Sequence, residues 1–229
     1  MSREAEIAAN LLDVQSKIAD AASRAGRSAD EITLVVVTKT FPVSDLNILY
    51  DLGVREFGEN RDQEGTVKYE LLPKDIRWHF LGQIQSRKIK SISEWASVVH
   101  SLDSLAHAAK FPSFKELKPE IKFFVQVNME PEREDRGGIP WEKVETFLGD
   151  LRDLHTINPI GLMCVAPIDQ APSQVFAQVA MKSQELQSEF PSLGALSMGM
   201  SGDFDAAIAA GATHLRIGSS ILGSRIQMT

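Results

Sequence analysis

The sequence predicts an α/β fold, a single (β/α)8 barrel of the TIM type over residues 1–229 with an extra helix at the N-terminal end. Strand-like and helix-like segments alternate eight times along the chain, which is typical of a parallel sheet with helices outside it. A length of 229 residues is close to that of known barrels. No linker rich in Pro, Gly or Ser divides the chain, so we expect one domain. A doubly wound open sheet is the alternative arrangement.

The first predicted element is an amphipathic helix that precedes the first strand. Its apolar residues recur at steps of three and four, and Gly26 follows them where a helix stop is expected. We expect this helix to pack on the outside of the barrel. Its apolar positions are Ile7, Leu11, Val14, Ile18, Ala22 and Ala25.

The predicted strands and the helices between them follow in a regular order. The strands cover residues 32–38, 54–58, 76–82, 97–101, 121–128, 157–165, 195–198 and 213–218. The helices begin near Val43, Arg61, Gln85, Ser104, Trp141, Ser173, Asp203 and Ser219. Gly53 and Gly211 each lie between a helical run and a strand, as a C-cap glycine does.

The composition argues against several classes of function. The formal net charge is −7, and the basic residues are dispersed apart from a short cluster at Arg87, Lys88 and Lys90, so a nucleic-acid groove is not expected. A single cysteine, Cys164, excludes an internal disulfide and a multi-thiolate metal site. The usual motifs of metal, dinucleotide and NTP sites are missing from the sequence, so no metal is expected.

The chain carries no sequence signal for export or membrane insertion. No apolar stretch approaches the length of a membrane span, and the first residues carry acids without the apolar segment of a secretory signal. We therefore expect a cytoplasmic protein that does not bind membranes. The sequence leaves the oligomeric state open, and a monomer is the simplest expectation.

The first predicted strand ends at a lysine. Residues 32–38 form a β-branched, uncharged run typical of a strand buried on both faces, and Lys39 follows directly. Partial burial at such an exit favours a neutral amine, which can attack an aldehyde. The alternative for Lys39 is a side chain that marks the strand end and extends into water.

Two small turns that contain glycine follow the seventh and eighth strands, at residues 197–203 and 216–220. Backbone N–H groups, hydroxyls and helix N-termini can meet an anion there, and the loops at these places form the recurrent phosphate site of barrels. The alternative is that Gly199, Gly202 and Gly218 only permit tight turns. A lysine opposite a phosphate site suggests a phosphorylated aldehyde, either pyridoxal 5′-phosphate or the phospho-sugar of an aldolase.

Six motifs occur in an order and spacing that resemble one family. They lie at residues 37–43, 57–60, 78–85, 161–163, 196–201 and 216–223. Together they resemble the pyridoxal phosphate homeostasis protein family, whose barrel is similar to that of alanine racemase, and the resemblance covers nearly the whole chain. It implies the cofactor pyridoxal 5′-phosphate (PLP) and a fold type III PLP barrel without the C-terminal β domain of the racemases.

The resemblance also implies which residues hold the cofactor. Lys39 is expected to carry it as an internal aldimine, and Arg216 to face its pyridine nitrogen. The other implied positions are Asn60 and His79 for the ring pocket, and Met200 (through its backbone), Ser201, Gly218 and Ser219 for the phosphate. No residue is assigned a catalytic role.

Two features favour holding the cofactor over turnover. Arg216 can only donate a hydrogen bond, so it would leave the pyridine nitrogen unprotonated and weaken the electron sink that carbanion chemistry uses. Racemisation also needs a second base, and the only tyrosines, Tyr50 and Tyr69, fall in predicted helices.

The resemblance implies a carrier or regulator in intracellular vitamin B6 homeostasis, with PLP-dependent apo-enzymes as candidate recipients. One alternative is a small PLP-dependent amino-acid racemase that uses His79 or a rim residue as its second base. Another is a sensor module whose bound cofactor reports vitamin status to a partner that the sequence does not name.

Overall fold

The computed structural model describes residues 2–130, 132–133, 136–154 and 157–223. Within them, eight parallel strands follow one another around a closed barrel, because β4 pairs with β5 and the last strand pairs with the first. The predicted barrel is confirmed, and the open-sheet alternative is wrong. The strands are β1 (Thr33–Val37), β2 (Glu56–Glu59), β3 (Arg77–Phe80), β4 (Val98–Leu102), β5 (Lys122–Asn128), β6 (Gly161–Met163), β7 (Ala195–Ser197) and β8 (His214–Ile217).

The helices alternate with the strands at the predicted places. They are α1 (Arg3–Arg24), α2 (Val43–Asp51), α3 (Asp62–Leu71), α4 (Ile89–Trp95), α5 (Leu105–Ala108), α6 (Val144–Asp153), α7 (Pro172–Leu186), α8 (Phe204–Ala209) and α9 (Ser219–Leu222). Short 3-10 turns precede α4 and α6. None of these helices, within the part of the chain that is described, has the length and apolar character of a membrane span.

Strand boundaries differ most from prediction at β6. The predicted range of 157–165 shortens to Gly161–Met163. Pro159 has no N–H to donate to a ladder, which accounts for the later start of the strand. A further two-residue strand, Ile139–Pro140, pairs beside the end of β5 and was not predicted.

Helix α1 packs outside the barrel, as its apolar periodicity predicted. Its buried face carries Ile7, Leu11, Val14, Ile18, Ala21 and Ala22, and it contacts α2, α8 and α9. Gly26 follows with a φ of 70°, the left-handed conformation that favours glycine after a helix. Polar side chains of α1 also reach α9, since Asn10 donates a hydrogen bond of 3.0 Å to the carbonyl of Ile221.

The core has an outer and an inner part. The outer part lies between strands and helices, where Trp78 contacts Phe57 and Trp95 at ring-centre distances of 5.6 and 6.3 Å. The inner part fills the barrel with the apolar cluster of Val98, Phe124 and Met163. Alternate residues of each strand point to these two sides. Above this filled interior, the C-terminal ends of the strands surround an open cavity.

Candidate functional site

A cavity of about 410 Å³ opens at the C-terminal ends of the strands. It lies where barrel enzymes place their sites. Seven of the eight predicted site residues line it, and they come from segments far apart in the sequence: Lys39, Asn60, Met200, Ser201, Arg216, Gly218 and Ser219. Leu81 and Val165 add apolar lining that sequence reasoning did not assign, and Met163 lies beside them.

Lys39 stands in a turn directly after β1, half-buried at the cavity wall. The next residue, Thr40, has a φ of 72°, the one positive φ among the described residues other than glycine. Such a conformation in a β-branched residue is strained by roughly 1–3 kcal/mol and persists only where its surroundings hold it. The backbone at Lys39 is therefore held by contacts outside the turn.

Those contacts come from β2 and α3. The N–H of Thr40 donates to Glu64 Oε1 at 2.6 Å. Lys68 Nζ donates to the Thr38 carbonyl at 2.8 Å and to Glu59 Oε1 at 2.7 Å. Sequence reasoning did not assign this support, although the four-residue spacing of Glu64 and Lys68 on one helix was an available signal.

The Glu59 carboxyl is enclosed between β1 and α3. Burial raises its pKa, although hydrogen bonds from Lys68 and Thr38 act in the opposite direction. Glu59 Oε1 accepts from the Thr38 hydroxyl at 2.5 Å, while Glu59 Oε2 is buried without a hydrogen-bond partner among the described residues. This carboxyl is structural, because it is fully buried and is not part of the cavity lining.

The loops after β7 and β8 meet at the cavity. The Ser219 hydroxyl donates to Ser201 Oγ at 3.2 Å, so the two loops touch through groups that can bind an anion. Backbone N–H groups are also available, since those of Ser201, Gly202, Ser219 and Ser220 have no acceptor within the described part of the chain.

Two glycines permit this close approach. A Cβ on Gly218 would lie 2.8 Å from the carbonyl oxygen of Val37, and a Cβ on Gly199 would lie 2.6 Å from the Cβ of Ala207. Gly199 also has a φ of 95°. Both glycines are therefore required by sterics, and Gly199 is also required by its backbone conformation.

The structure corrects two details of the predicted anion site. Helices α8 and α9 have only six and four residues, so their dipoles contribute less than the sequence suggested. The N–H of Met200 already donates to Asp203 Oδ1 at 2.6 Å. The loop hydroxyls and the backbone N–H groups of Ser201, Gly202, Ser219 and Ser220 are therefore the available donors.

Arg216 lies at the cavity floor, where two hydrogen bonds to the barrel interior hold its guanidinium. Nη1 donates to Ser197 Oγ at 2.7 Å and Nη2 to the carbonyl of Cys164 at 2.9 Å. Burial lowers the pKa of Arg216, but a guanidinium in a protein stays charged. The Cys164 thiol is buried, and burial raises its pKa to about 12, so Cys164 is an inert packing residue.

His79, which the resemblance placed in the ring pocket, is not among the residues that line the cavity. Its side chain is fully buried inside the barrel, beside Gly58 and Val98 of the neighbouring strands. Its ring nitrogens contact His100 Nε2 at 2.8 Å and Glu56 Oε2 at 2.7 Å. Leu81, two residues further along and on the same face, is the one that reaches the cavity.

The comparisons with known proteins agree with this geometry. Residues 10–226 match the family described as alanine racemase, N-terminal domain. Two relatives named pyridoxal phosphate homeostasis protein are 37% identical (Escherichia coli K12, covering 96% of this chain and 97% of that protein) and 34% identical (Mycobacterium leprae, 96% and 93%). The chain belongs to the pyridoxal phosphate homeostasis protein family. The family resemblance predicted from the six motifs is thereby confirmed.

Solved structures of this family have the same barrel. PipY from Synechococcus elongatus, solved with PLP bound, is 31% identical and matches with a TM-score of 0.81 over 95% of this chain and 100% of that one. The same protein solved without PLP gives a TM-score of 0.83 at 32% identity, with the same coverage. The fold predicted for this family member is confirmed.

Proposed function

We propose that this chain binds PLP in the cavity at the strand C-termini and serves in intracellular PLP homeostasis. The observation that carries the proposal is the convergence of Lys39, Arg216 and the touching hydroxyls of Ser201 and Ser219 in one cavity of about 410 Å³. An amine, a fixed guanidinium and an anion site match the aldehyde, the ring nitrogen and the phosphate of PLP. The PLP-bound structure of the relative PipY supports the same ligand.

Each group has a distinct task in this proposal. When bound, PLP supplies an aldehyde that a lysine amine joins reversibly with loss of one water. Lys39 offers that amine from a turn held by Glu64 and Lys68. Ser201, Ser219 and the nearby N–H groups would bind the phosphate, and Arg216 would donate towards the ring nitrogen.

The residues around the cavity support holding the cofactor over turnover. Arg216 has only donors, which disfavours a protonated ring nitrogen. The tyrosines lie elsewhere, since the Tyr50 hydroxyl bonds to Asp75 at 2.9 Å and the Tyr69 ring packs against the Lys74 ammonium at 3.8 Å. We therefore propose that the protein binds PLP and releases it to PLP-dependent apo-enzymes. From the sequence, we also propose that it is a cytoplasmic monomer.

The test is the site of covalent attachment. The purified protein is incubated with PLP, reduced with borohydride, digested and analysed by mass spectrometry. We expect the pyridoxyl adduct on the peptide that contains Lys39, its loss in Lys39→Ala, and its retention in the control Lys90→Ala, which changes an exposed lysine on α4. A Lys39→Ala protein with an undiminished adduct would refute the proposal.

Delivery and turnover are then separated by two assays. Loaded protein should reactivate a PLP-dependent apo-enzyme when PLP scavengers are present, whereas Lys39→Ala should not. Single enantiomers of common amino acids in deuterated buffer should show no catalytic exchange of the α-hydrogen. Exchange over many turnovers would favour the racemase alternative.

A further inference from the structure

A chain of hydrogen bonds crosses the barrel interior from Arg216 at the cavity floor to Glu56 at the N-terminal end of β2. Arg216 Nη1 lies 2.7 Å from Ser197 Oγ, which lies 2.7 Å from His100 Nδ1. His100 Nε2 lies 2.8 Å from His79 Nδ1, and His79 Nε2 lies 2.7 Å from Glu56 Oε2. Ser197, His100 and His79 are completely buried. We refer to these four links as the interior chain.

The two ends of the interior chain determine its direction. A guanidinium can only donate and a carboxylate can only accept. Ser197 Oγ therefore accepts from Arg216, and its own hydrogen goes to His100 Nδ1. Each imidazole then carries its hydrogen on Nε2 and donates towards Glu56, which leaves every donor and acceptor matched in this one direction.

The environment keeps both imidazoles neutral. Burial lowers the pKa of His79, and it lowers the pKa of His100 well below the ordinary value. Phe124 stacks on His100 with ring centres 4.6 Å apart, which encloses the middle of the chain. A neutral imidazole has one donor and one acceptor, which is what this arrangement needs at each histidine.

The interior chain does not serve as a proton path to the cavity. A proton that entered at Glu56 would reverse each link, and Ser197 would then have to donate to Arg216. The charged guanidinium has no acceptor for that hydrogen, so proton transfer would stop at Ser197. The chain is therefore a static support that keeps the Ser197 oxygen available to Arg216.

We propose that Ser197, His100, His79 and Glu56 are positioning residues that fix the guanidinium of Arg216 at the cavity floor. Without them, the hydrogen of Ser197 would have no fixed acceptor, so the hydroxyl could rotate and its oxygen would no longer hold Nη1 in one direction. The consequence for the ligand rests on the proposed function, because a fixed Arg216 would keep its remaining donors aimed at the ring nitrogen. The support itself exists without any ligand.

The first test uses the protein without PLP. Histidine labelled with heavy nitrogen is incorporated, and heteronuclear NMR near neutral pH reports which ring nitrogen carries hydrogen, with signals assigned from His79→Gln and His100→Gln. We expect His79 and His100 both as neutral rings with hydrogen on Nε2. Hydrogen on Nδ1 of either ring, or an imidazolium, would overturn the proposal.

The second test changes the far end of the chain. Glu56→Gln keeps an oxygen acceptor for His79, whereas Glu56→Lys offers only donors and should move the hydrogen of His79 to Nδ1. Glu56 is a suitable position because its side chain is 20% exposed and lies outside the cavity lining. The readout is the guanidinium NMR signals of Arg216, assigned with Arg216→Lys.

We expect separate Nη1 and Nη2 signals in the unmodified protein and in Glu56→Gln. In Glu56→Lys we expect merged signals, because His100 would then donate to Ser197 Oγ and compete with Arg216 for that oxygen. Unchanged Arg216 signals in Glu56→Lys would overturn the proposal. PLP is added afterwards, and the absorption spectrum of the bound PLP is compared with that in the unmodified protein. We expect a difference in Glu56→Lys and none in Glu56→Gln. If His79 and His100 show the expected tautomers but the protein does not bind PLP, only the proposed function is refuted. If the protein binds PLP but the tautomers are the opposite ones, only the positioning role is refuted.

Discussion

Lys68 on α3 donates a hydrogen bond of 2.8 Å to the carbonyl oxygen of Thr38, the residue that immediately precedes Lys39. The same ammonium contacts Glu59 and Glu64, each at 2.7 Å. A second lysine, buried beneath the turn, thus fixes the backbone from which Lys39 extends. Lys68 therefore supports the turn, and the amine of Lys39 is the group proposed for reaction.

Replacing Lys68 should destabilise the fold strongly. In Lys68→Met the Glu59 carboxylate remains buried without its charge partner, which typically costs about 3–5 kcal/mol of unfolding free energy. Urea denaturation measures the change. The matched control is Lys17→Met, whose partner Asp13 and the lysine itself are each 59% exposed, and which should have a much smaller effect. Equal effects of the two substitutions would contradict the buried-pair interpretation.

The double variant Lys68→Met with Glu59→Gln isolates the cause. It removes the uncompensated charge, so part of the lost stability should return. If the double variant is as unstable as the sum of the single changes, the loss comes from packing and not from the unpaired Glu59.

Arg3 at the start of α1 connects α2, which follows the Lys39 turn, to α9, which follows the β8 loop. Its Nη2 donates to Asp45 on α2 at 2.6 Å and to the carbonyl of Leu222 at the end of α9 at 2.8 Å. In Arg3→Gln the Asp45 carboxylate, which is 8% exposed, loses its partner. We expect a loss of roughly 1–3 kcal/mol in unfolding free energy and faster hydrogen exchange at the backbone amides of α9.

The control for Arg3→Gln is Arg24→Gln, which lies on the same helix as Arg3 and removes an exposed ion pair with Asp205 of α8. It should leave exchange in α9 unchanged. Faster exchange in both variants would mean that α1 supports α9 through its apolar face alone.

Asp203 places a carboxylate at the edge of the anion site. Its Oδ1 accepts from the Met200 N–H at 2.6 Å, and Asn can keep that acceptor without the charge. Asp203→Asn should therefore bind inorganic phosphate more tightly, by about fivefold for a repulsion of ~1 kcal/mol. Competition of phosphate with PLP measures it, and Ser201→Ala should change the affinity in the opposite direction. Weaker binding in Asp203→Asn would show that the carboxylate is needed for the loop conformation.

Stability should fall as the pH falls below the ordinary range of histidine. Burial, with a smaller contribution from the neighbouring Arg216 and histidines, lowers the pKa of His100 well below 6.5. His100 therefore binds a proton in the unfolded chain at a pH where it stays neutral in the folded protein. Its contribution to the unfolding free energy is present above pH 6.5 and is lost as the pH falls below that value. Each such histidine adds a slope of up to about 1.4 kcal/mol per pH unit.

His100→Gln tests this slope. Urea denaturation of the parent and the variant between about pH 6 and pH 5 should give a smaller dependence in the variant, by about one proton. The absolute stability of the variant should also be lower, because two buried hydrogen bonds are altered. An identical pH slope in both proteins would show that His100 binds a proton while folded.

The sequence by itself determined the order of elements and the position of Lys39 after β1. It also determined the glycine turns after β7 and β8. These features rest on local causes: the apolar period of a strand or helix, the need for positive φ, and the absence of side chains at close approaches. That is why the helix starts near Val43 and Ser219 agree with the structure.

Only the tertiary structure decided which polar groups meet. His79 was expected at the ring, but the register of β3 against β2 and β4 places it one layer below the cavity, between Glu56 and His100. The support of the Lys39 turn by Lys68 likewise depends on how α3 packs against β1. Strand stagger and helix packing set these contacts across the barrel, and a one-dimensional pattern of apolar and polar residues carries no measure of either.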